Sequence, residues 1–377
     1  MKKIIWIVCT LLLLTGCGVT QKSTPQEEKS LEKTGELDLK YATQFKVDYY
    51  EKGYIHIHIE DGNEYVIVPE NEEENTLGLE NPIYIHRPCD RIYLAASSAM
   101  DLFLELQELD KVIACSTKST DYAMPEVRFA IDSGAMLYVG KYSAPDYELL
   151  LSLGSNLAIE STMIGHSPKI KEQLERINIP VFVERSSYET HPIGRLEWIK
   201  LYGIFTGKEA EATSFFEQEL LKIRNIENAI PTEENPKKKI AFFSINSNGS
   251  VTVRKPGDYV CKMIEIAGGE YALADLLVEE ENALSTINIG MEDFYRVAND
   301  ADILIYNGSI DGGVNSLEEL VKKNELLRDF MAVKENKVWS SGLNMFQESS
   351  KIMDTIVELS NIIHGSDNEE VYLKHLD

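Results

Sequence analysis

Two series of short apolar runs alternating with helical stretches, one on each side of a long helical region, constrain the fold of this chain most. The first series holds candidate strands at Ile92 to Ala95, Val112 to Cys115, Leu157 to Ile159 and Val181 to Val183. Helix-like stretches such as Ala99 to Leu109 and Pro168 to Ile177 separate them. Alternation of this kind argues for parallel β-α units in an open twisted sheet. Glu197 to Phe205 then runs to Gly207, and Lys208 to Asn228 places Ala212, Phe216, Leu220 and Ile223 at helical spacing without a proline. Pro231, Pro236 and Lys237 to Lys239 end it. The second series has strands at Ile240 to Ser244, Val251 to Val253, Ile303 to Tyr306 and Val338 to Trp339. Its helices are Tyr259 to Ala267, stopped by Gly268-Gly269, and Met345 to Ile363, capped by Gly365. The expected architecture is α/β. It has two lobes (41–206 and 232–377), each a mostly parallel sheet with flanking helices, joined by one long helix over 207–231. Ahead of the first series, Phe45 to Val68 alternates apolar and polar residues around Asp61-Gly62, a hairpin signal. A small antiparallel β meander is expected over 41–69. His56 and His58 share one face of a strand there and read as polar residues on a solvent face.

The N-terminus sets the compartment. Lys2 and Lys3 precede an apolar run from Ile4 to Leu14, broken by Thr10. That run is shorter than the roughly 20 residues a bilayer span needs, so 1–16 reads as a secretory signal peptide. Leu14-Thr15-Gly16-Cys17 resembles the lipobox of bacterial lipoproteins, which implies acylation (palmitate) of Cys17 as the first mature residue. Gly18 to Lys40 is polar and aperiodic, so 17–40 is expected to be a lipidated, disordered tether. The body would then sit on the outer face of the cytoplasmic membrane. The formal net charge of -25 leaves no electrostatic footprint for nucleic acid. Glu70, Glu72, Glu73, Glu74 and Glu80 read as a solvated loop. Cys89, Cys115 and Cys261 have no metal-type spacing and read as buried thiols, with a Cys89–Cys115 bridge as the alternative.

Five stretches carry a family resemblance. The first is Arg91-Ile92-Tyr93-Leu94 followed by Leu106 to Val112. The second is Tyr138-Val139-Gly140 to Pro145-Asp146-Tyr147-Glu148, followed by Leu153 to Glu160. The third and most specific is Glu184 to Trp198, E-R-S-S-Y-E-T-H-P-I-G-R-L-E-W, and the fourth is Gly249 to Gly269. The fifth is Gly290-Met291-Glu292-Asp293-Phe294 through Asp302 to Tyr306. Their order resembles the helical-backbone class of substrate-binding proteins of ABC importers, which includes iron-siderophore, haem and cobalamin binders. The resemblance runs from about Arg91 to the C-terminus. It implies a monomer that captures a small molecule, a metal chelate or tetrapyrrole, and delivers it to an ABC permease with its ATPase. No cofactor and no catalysis are implied. In the family a glutamate near a helix start on each lobe docks onto permease arginines. The matching positions are Glu148 and Glu292, with Glu189 and Glu197 ranked lower.

In open α/β sheets ligands lie beyond the carboxyl ends of the strands. The expected ligand-binding residues are therefore Ser97, Ser98, Met100, Tyr142, Ser161, Thr162, Arg185, Tyr188, His191, Asn248, Arg254 and Asn307. Lys141, Met163, Glu189, Asn246 and Trp339 stand beside them. Arginines suit anionic groups and aromatics suit flat ones. His191 has two readings, a ligand to a bound metal or a cap on the helix that begins near Pro192. Arg195 faces the cleft or pairs with a carboxylate such as Glu197. A binder of free Zn²⁺ or Mn²⁺ is the rival function, but the histidines are scattered through the sequence. A sensing module without transport is another. An enzyme is disfavoured by the lack of a G-x-S-x-G elbow or a phosphate loop.

Overall fold

The structure is a computed structural model that describes residues 31–229, 237–277, 285–310, 312–366 and 369–377. The signal peptide, Cys17 and the tether as far as residue 30 lie outside the described residues. Three sheets build the body. The first comprises β1 (Lys33–Glu36), β2 (Phe45–Tyr50), β3 (Ile55–Ile59), β4 (Glu64–Val68) and β5 (Ile83–His86), in that order. β1 to β4 pair antiparallel, as the alternation predicts, and Gly62 takes φ +89 in the β3–β4 turn. β3 buries Ile55, Ile57 and Ile59 against lobe one and turns His56 and His58 outward onto Glu64. Two features differ from the sequence reading. β1 falls inside the stretch expected to be tether, and β5 returns parallel to β4. The acidic connection between β4 and β5 carries Leu77 and Leu79, which with Tyr84 pack on Tyr54, Val66 and Val68.

Lobe one is a wholly parallel sheet of β6 (Ile92–Leu94), β7 (Val112–Cys115), β8 (Leu137–Tyr138), β9 (Leu157–Ser161) and β10 (Val181–Glu184). The strand order is β10-β9-β6-β7-β8. Lobe two contains β11 (Lys239–Ile245), β12 (Val251–Arg254), β13 (Glu270–Tyr271), β14 (Thr286–Ile289), β15 (Ile303–Asn307), β16 (Val338–Ser341) and β17 (Leu373–His375). β11, β13, β15 and β16 are parallel, while β12, β14 and β17 run antiparallel to their neighbours.

The lobes are joined by helix Glu209–Ala229, which follows helix Ile199–Thr206 across Gly207 at φ +75. The two helices approach closely because residue 203 is glycine: a Cβ there would stand 2.8 Å from Ala212 Cβ. One continuous apolar cluster runs from the meander through Trp198, Tyr202 and Phe216 into Phe243 and Ile356 of lobe two. Each such side chain contributes about 2 kcal/mol on burial. The C-terminal helix is shorter than its periodicity predicts. It spans Ile352–His364 and ends at Gly365 in the left-handed region, φ +72. Ahead of it, Asn344–Gln347 forms a separate single helical turn, the chain breaks at Glu348 (φ -97, ψ 71), and Ser349–Lys351 is a 3-10 segment, with Gln347, Ser349 and Ser350 bonded to lobe one. Cys89, Cys115 and Cys261 are free and buried, and burial pushes the first two thiols up to about 11. Among the described residues no helix is long and apolar enough to cross a membrane.

Candidate functional site

Successive connections in lobe one leave in opposite directions between β6 and β9, the position where open α/β sheets hold ligands. Ser97 and Ser98 follow β6, and Thr162 and Met163 follow Ser161 at the end of β9. All are half-buried except Met163, which is exposed. Ser161 Oγ accepts from Met163 N–H at 3.3 Å and so caps its own turn. Met100, contrary to expectation, opens helix Met100–Glu105 and is 0% exposed in the core, so it has no surface to offer a ligand. Tyr142 is half-buried against the apolar group around Tyr93 and Leu150.

Several other candidates hold local structure. The Arg185 guanidinium lies 4.1 Å from the Tyr188 ring centroid, donates to Gln44 Oε1 at 3.4 Å and stands 3.9 Å from Asp61. These two candidates thus meet each other and the meander. His191 caps helix Pro192–Glu197, its Nδ1 accepting from Ile193 N–H at 3.2 Å, with the Tyr41 ring centroid 5.0 Å away and tilted by 37°. Burial holds its pKa down, and Lys262 of lobe two adds to this. Asn246 spans Ser250, Thr252 and Asn288, and Asn248 accepts from Ser250, which shapes the β11–β12 turn. Asn307 Oδ1 accepts from Ser309 after β15. Trp339 packs on His375 of β17.

The junction of the lobes brings together a different set. Arg254 ends β12, 9% exposed, between the rings of Phe346 and Phe242 at 5.2 and 5.6 Å. Its Nη1 donates to Ser285 Oγ at 3.4 Å and stands 3.7 Å from Asp258 Oδ2. From lobe one, Arg195 lays its guanidinium 4.1 Å from the ring centroid of Tyr259, and it is 8% exposed. Among the described residues that guanidinium has no hydrogen-bond or ion-pair partner. Its field reaches Asp258 and Glu184: burial pushes both carboxyls up, and Arg195 is among the groups pulling them down. Two nearly buried guanidinia, of which Arg254 stands 3.7 Å from Asp258, lie beside Tyr259, Phe346 and Phe242, side chains suited to anionic groups and flat faces. Arg254 is expected from its place after a strand, whereas the sequence leaves two readings of Arg195. The signal that separates Arg195's readings is distributed, because its expected partner is engaged elsewhere.

That partner is Glu197, which is 0% exposed. Its carboxylate accepts from the backbone N–H groups of Lys40, Tyr41 and Ala42 and from Lys200 Nζ, at 2.7–3.0 Å. Glu189 accepts from Thr43 and Gln44 N–H, Thr43 Oγ1 and Trp198 Nε1. Both are therefore unavailable to a partner protein. Glu148 and Glu292, by contrast, are exposed second residues of helices Tyr147–Ser152 and Met291–Ala298, favoured there by the helix dipole. No three His, Cys, Asp or Glu side chains converge as a metal site among the described residues. An open hollow of about 610 Å³ lies at the opposite, amino-terminal end of β9 and β10, lined among others by His86, Arg87, Asn156 and Glu175.

The chain matches the periplasmic binding protein family over residues 93–341. It is similar to two uncharacterized lipoproteins of Methanocaldococcus jannaschii. One is 25% identical over 291 residues, covering 74% of this chain and 66% of the relative. The other is 24% identical over 376 residues, covering 94% and 91%. Among solved structures, a periplasmic haem-binding protein of Pseudomonas aeruginosa superposes with a TM-score of 0.60 at 16% identity, over 76% of this chain and 98% of that one. The petrobactin-binding protein of Bacillus subtilis gives 0.59 at 16%, over 83% and 99%. The periplasmic haem-binding protein of Vibrio cholerae gives 0.57 at 18%, over 71% and 99%. At these identities the likeness speaks for the fold, and the meander strands precede the matched span. With its two α/β lobes and a family match over well more than half its length, the chain belongs to the periplasmic binding protein family, non-enzymatic components of transport.

Proposed function

We propose that this protein is the lipid-anchored substrate-binding component of an ABC importer, and that it captures an iron-siderophore, haem or cobalamin-like ligand between its lobes. The observation that supports the reading is a pair of nearly buried guanidinia, Arg195 of lobe one laid on Tyr259 of lobe two and Arg254 set between Phe346 and Phe242. Charge-assisted bonds from two guanidinia hold the acidic groups of a chelate or tetrapyrrole, and the rings cover its apolar face. The half-buried Ser97, Ser98, Ser161 and Thr162 supply hydroxyls at the lobe-one end of the same region. The liganded body then presents Glu148 and Glu292 to arginines of the permease. Cys17 holds the protein at the outer face of the membrane.

The test is a fluorescence titration of residues 18–377 with a ferric catecholate, haemin, cobalamin, Zn²⁺ and Mn²⁺. Saturable binding of one chelate or tetrapyrrole is expected. Arg254→Gln should weaken it roughly tenfold to a hundredfold, the cost of a bond to a charged group. Binding of free Zn²⁺ or Mn²⁺ alone would replace this reading with that of a metal-ion carrier.

A further inference from the structure

The five residues Gln347 to Lys351 of lobe two make five polar contacts with lobe one. Gln347 uses its side-chain amide twice, donating to Asp121 C=O at 2.8 Å and accepting from Ala123 N–H at 2.7 Å. Ser349 Oγ donates to Ser98 C=O at 2.9 Å, and Ser350 N–H donates to Asp101 Oδ2 at 2.6 Å. Lys351 Nζ meets Glu105 Oε2 at 2.7 Å. All the lobe-one partners follow the carboxyl ends of β6 and β7, and Ser98 flanks the ligand position itself. The helix that the periodicity of 345–363 predicts is interrupted here, at Glu348 (φ -97, ψ 71), between the single turn Asn344–Gln347 and the 3-10 segment Ser349–Lys351. The residue just before Gln347 is Phe346, whose ring rests on Arg254 and Phe242. Just after Lys351 the chain enters helix Ile352–His364, which Lys222 of the joining helix holds through Asp354 at 2.5 Å. One end of the segment is therefore fixed to the joining helix, and the other touches the arginine read as a ligand group.

We propose that Phe346 to Lys351 is an interlobe clasp that reports the state of Arg254 to lobe one. A ligand drawn onto the Arg254 guanidinium has to shift or compress the Phe346 ring. One residue later that movement reaches the amide holding Asp121 and Ala123. The clasp is defined by geometry alone, while its role in sensing cargo rests on the reading of Arg254 given above.

Hydrogen exchange at single amides of the full chain tests both parts without any ligand. Gln347→Ala removes the acceptor of Ala123 N–H, and exchange there should rise roughly tenfold, while exchange within β10 stays unchanged. Arg254→Met should raise exchange at Ala123 and Ser350 as well, although the partners of Arg254 (Asp258, Ser285, Phe242 and Phe346) all lie in lobe two. Phe346→Leu makes the same test at the ring if Arg254→Met folds poorly. Unchanged exchange at Ala123 in Gln347→Ala would overturn the clasp. Unchanged exchange in both Arg254→Met and Phe346→Leu would overturn the coupling. Failure of the titration panel would instead strike the ligand reading and leave these outcomes decisive.

Discussion

Glu160, near the end of β9, is fully buried, and neither carboxyl oxygen has a hydrogen-bond partner among the described residues. Burial pushes its pKa up to about 8. The unfolded chain would ionise near 4.3, so it releases its proton before the folded one does. Stability linked to the neutral carboxyl is therefore full below about pH 4.3 and drains as pH rises towards 8. Glu160→Gln keeps the shape and removes the ionisation. Urea denaturation near pH 7 should show the variant more stable than the native chain by on the order of 4 kcal/mol. The gap should close near pH 4, and a gap independent of pH would rule out this account. Glu197 has contrasting surroundings, with four donors converging on its carboxylate. Glu197→Gln turns an amide N–H towards backbone N–H groups and should cost about 3 kcal/mol, read from the same denaturation curves.

The donors of Glu197 and Glu189 belong to an element that composition hides. Residues 31–44 follow a polar stretch and carry only a brief alternation, Leu37, Leu39 and Tyr41, which packs on the core, so a tether as far as Lys40 is the expectation from composition. In the structure five successive backbone N–H groups, Lys40 to Gln44, are taken by two carboxylates some 150 positions away in the chain. Order there is imposed from a distance, and single-sequence patterning sees only local order. Gly194 admits this strap: a Cβ on it would stand 2.9 Å from Tyr41 C=O and 3.2 Å from Glu189 Oε2. Gly194→Ala should loosen residues 40–44, so tryptic cleavage at Lys40 should become several-fold faster, while cleavage at Lys52 stays as it was. Equal rates at Lys40 in both chains would show that the strap yields without release. Elements with strong local signals were legible, as β2 to β4, the βα alternation and the Gly207 and Gly365 stops show. The two-residue strands β8 and β13 and the C-terminal β17 carry too little pattern, since partners elsewhere decide them. The candidate site was partly legible for the same reason. Arg254 follows a strand signal, whereas Arg195 and Phe346 acquire meaning only when the lobes meet.

At the scale of the whole molecule, the lobes are tied in three ways: helix Glu209–Ala229, the continuous apolar core, and the polar segment Gln347 to Lys351. Bending such a joint breaks packing as well as hydrogen bonds, which favours small adjustments over the wide hinge closures of strand-linked binding proteins. Solution scattering with and without the bound chelate should therefore fit lobe displacements of no more than about 2 Å. A body that changes so little has to be recognised by surface groups already in place, and the exposed Glu148 and Glu292 are the groups proposed for that role. Each should then be separable from capture. Glu148→Ala or Glu292→Ala should weaken stimulation of the permease's ATPase roughly tenfold, as expected for loss of one Arg–carboxylate contact, while chelate affinity stays unchanged. The double variant should lose both contacts, and because the two residues sit on different lobes their effects should add. Single variants that alter chelate affinity would place these glutamates in the ligand site. If the double variant were no worse than one single variant, docking through one lobe would suffice, and the need for a rigid two-lobed body would have to lie in the cleft alone.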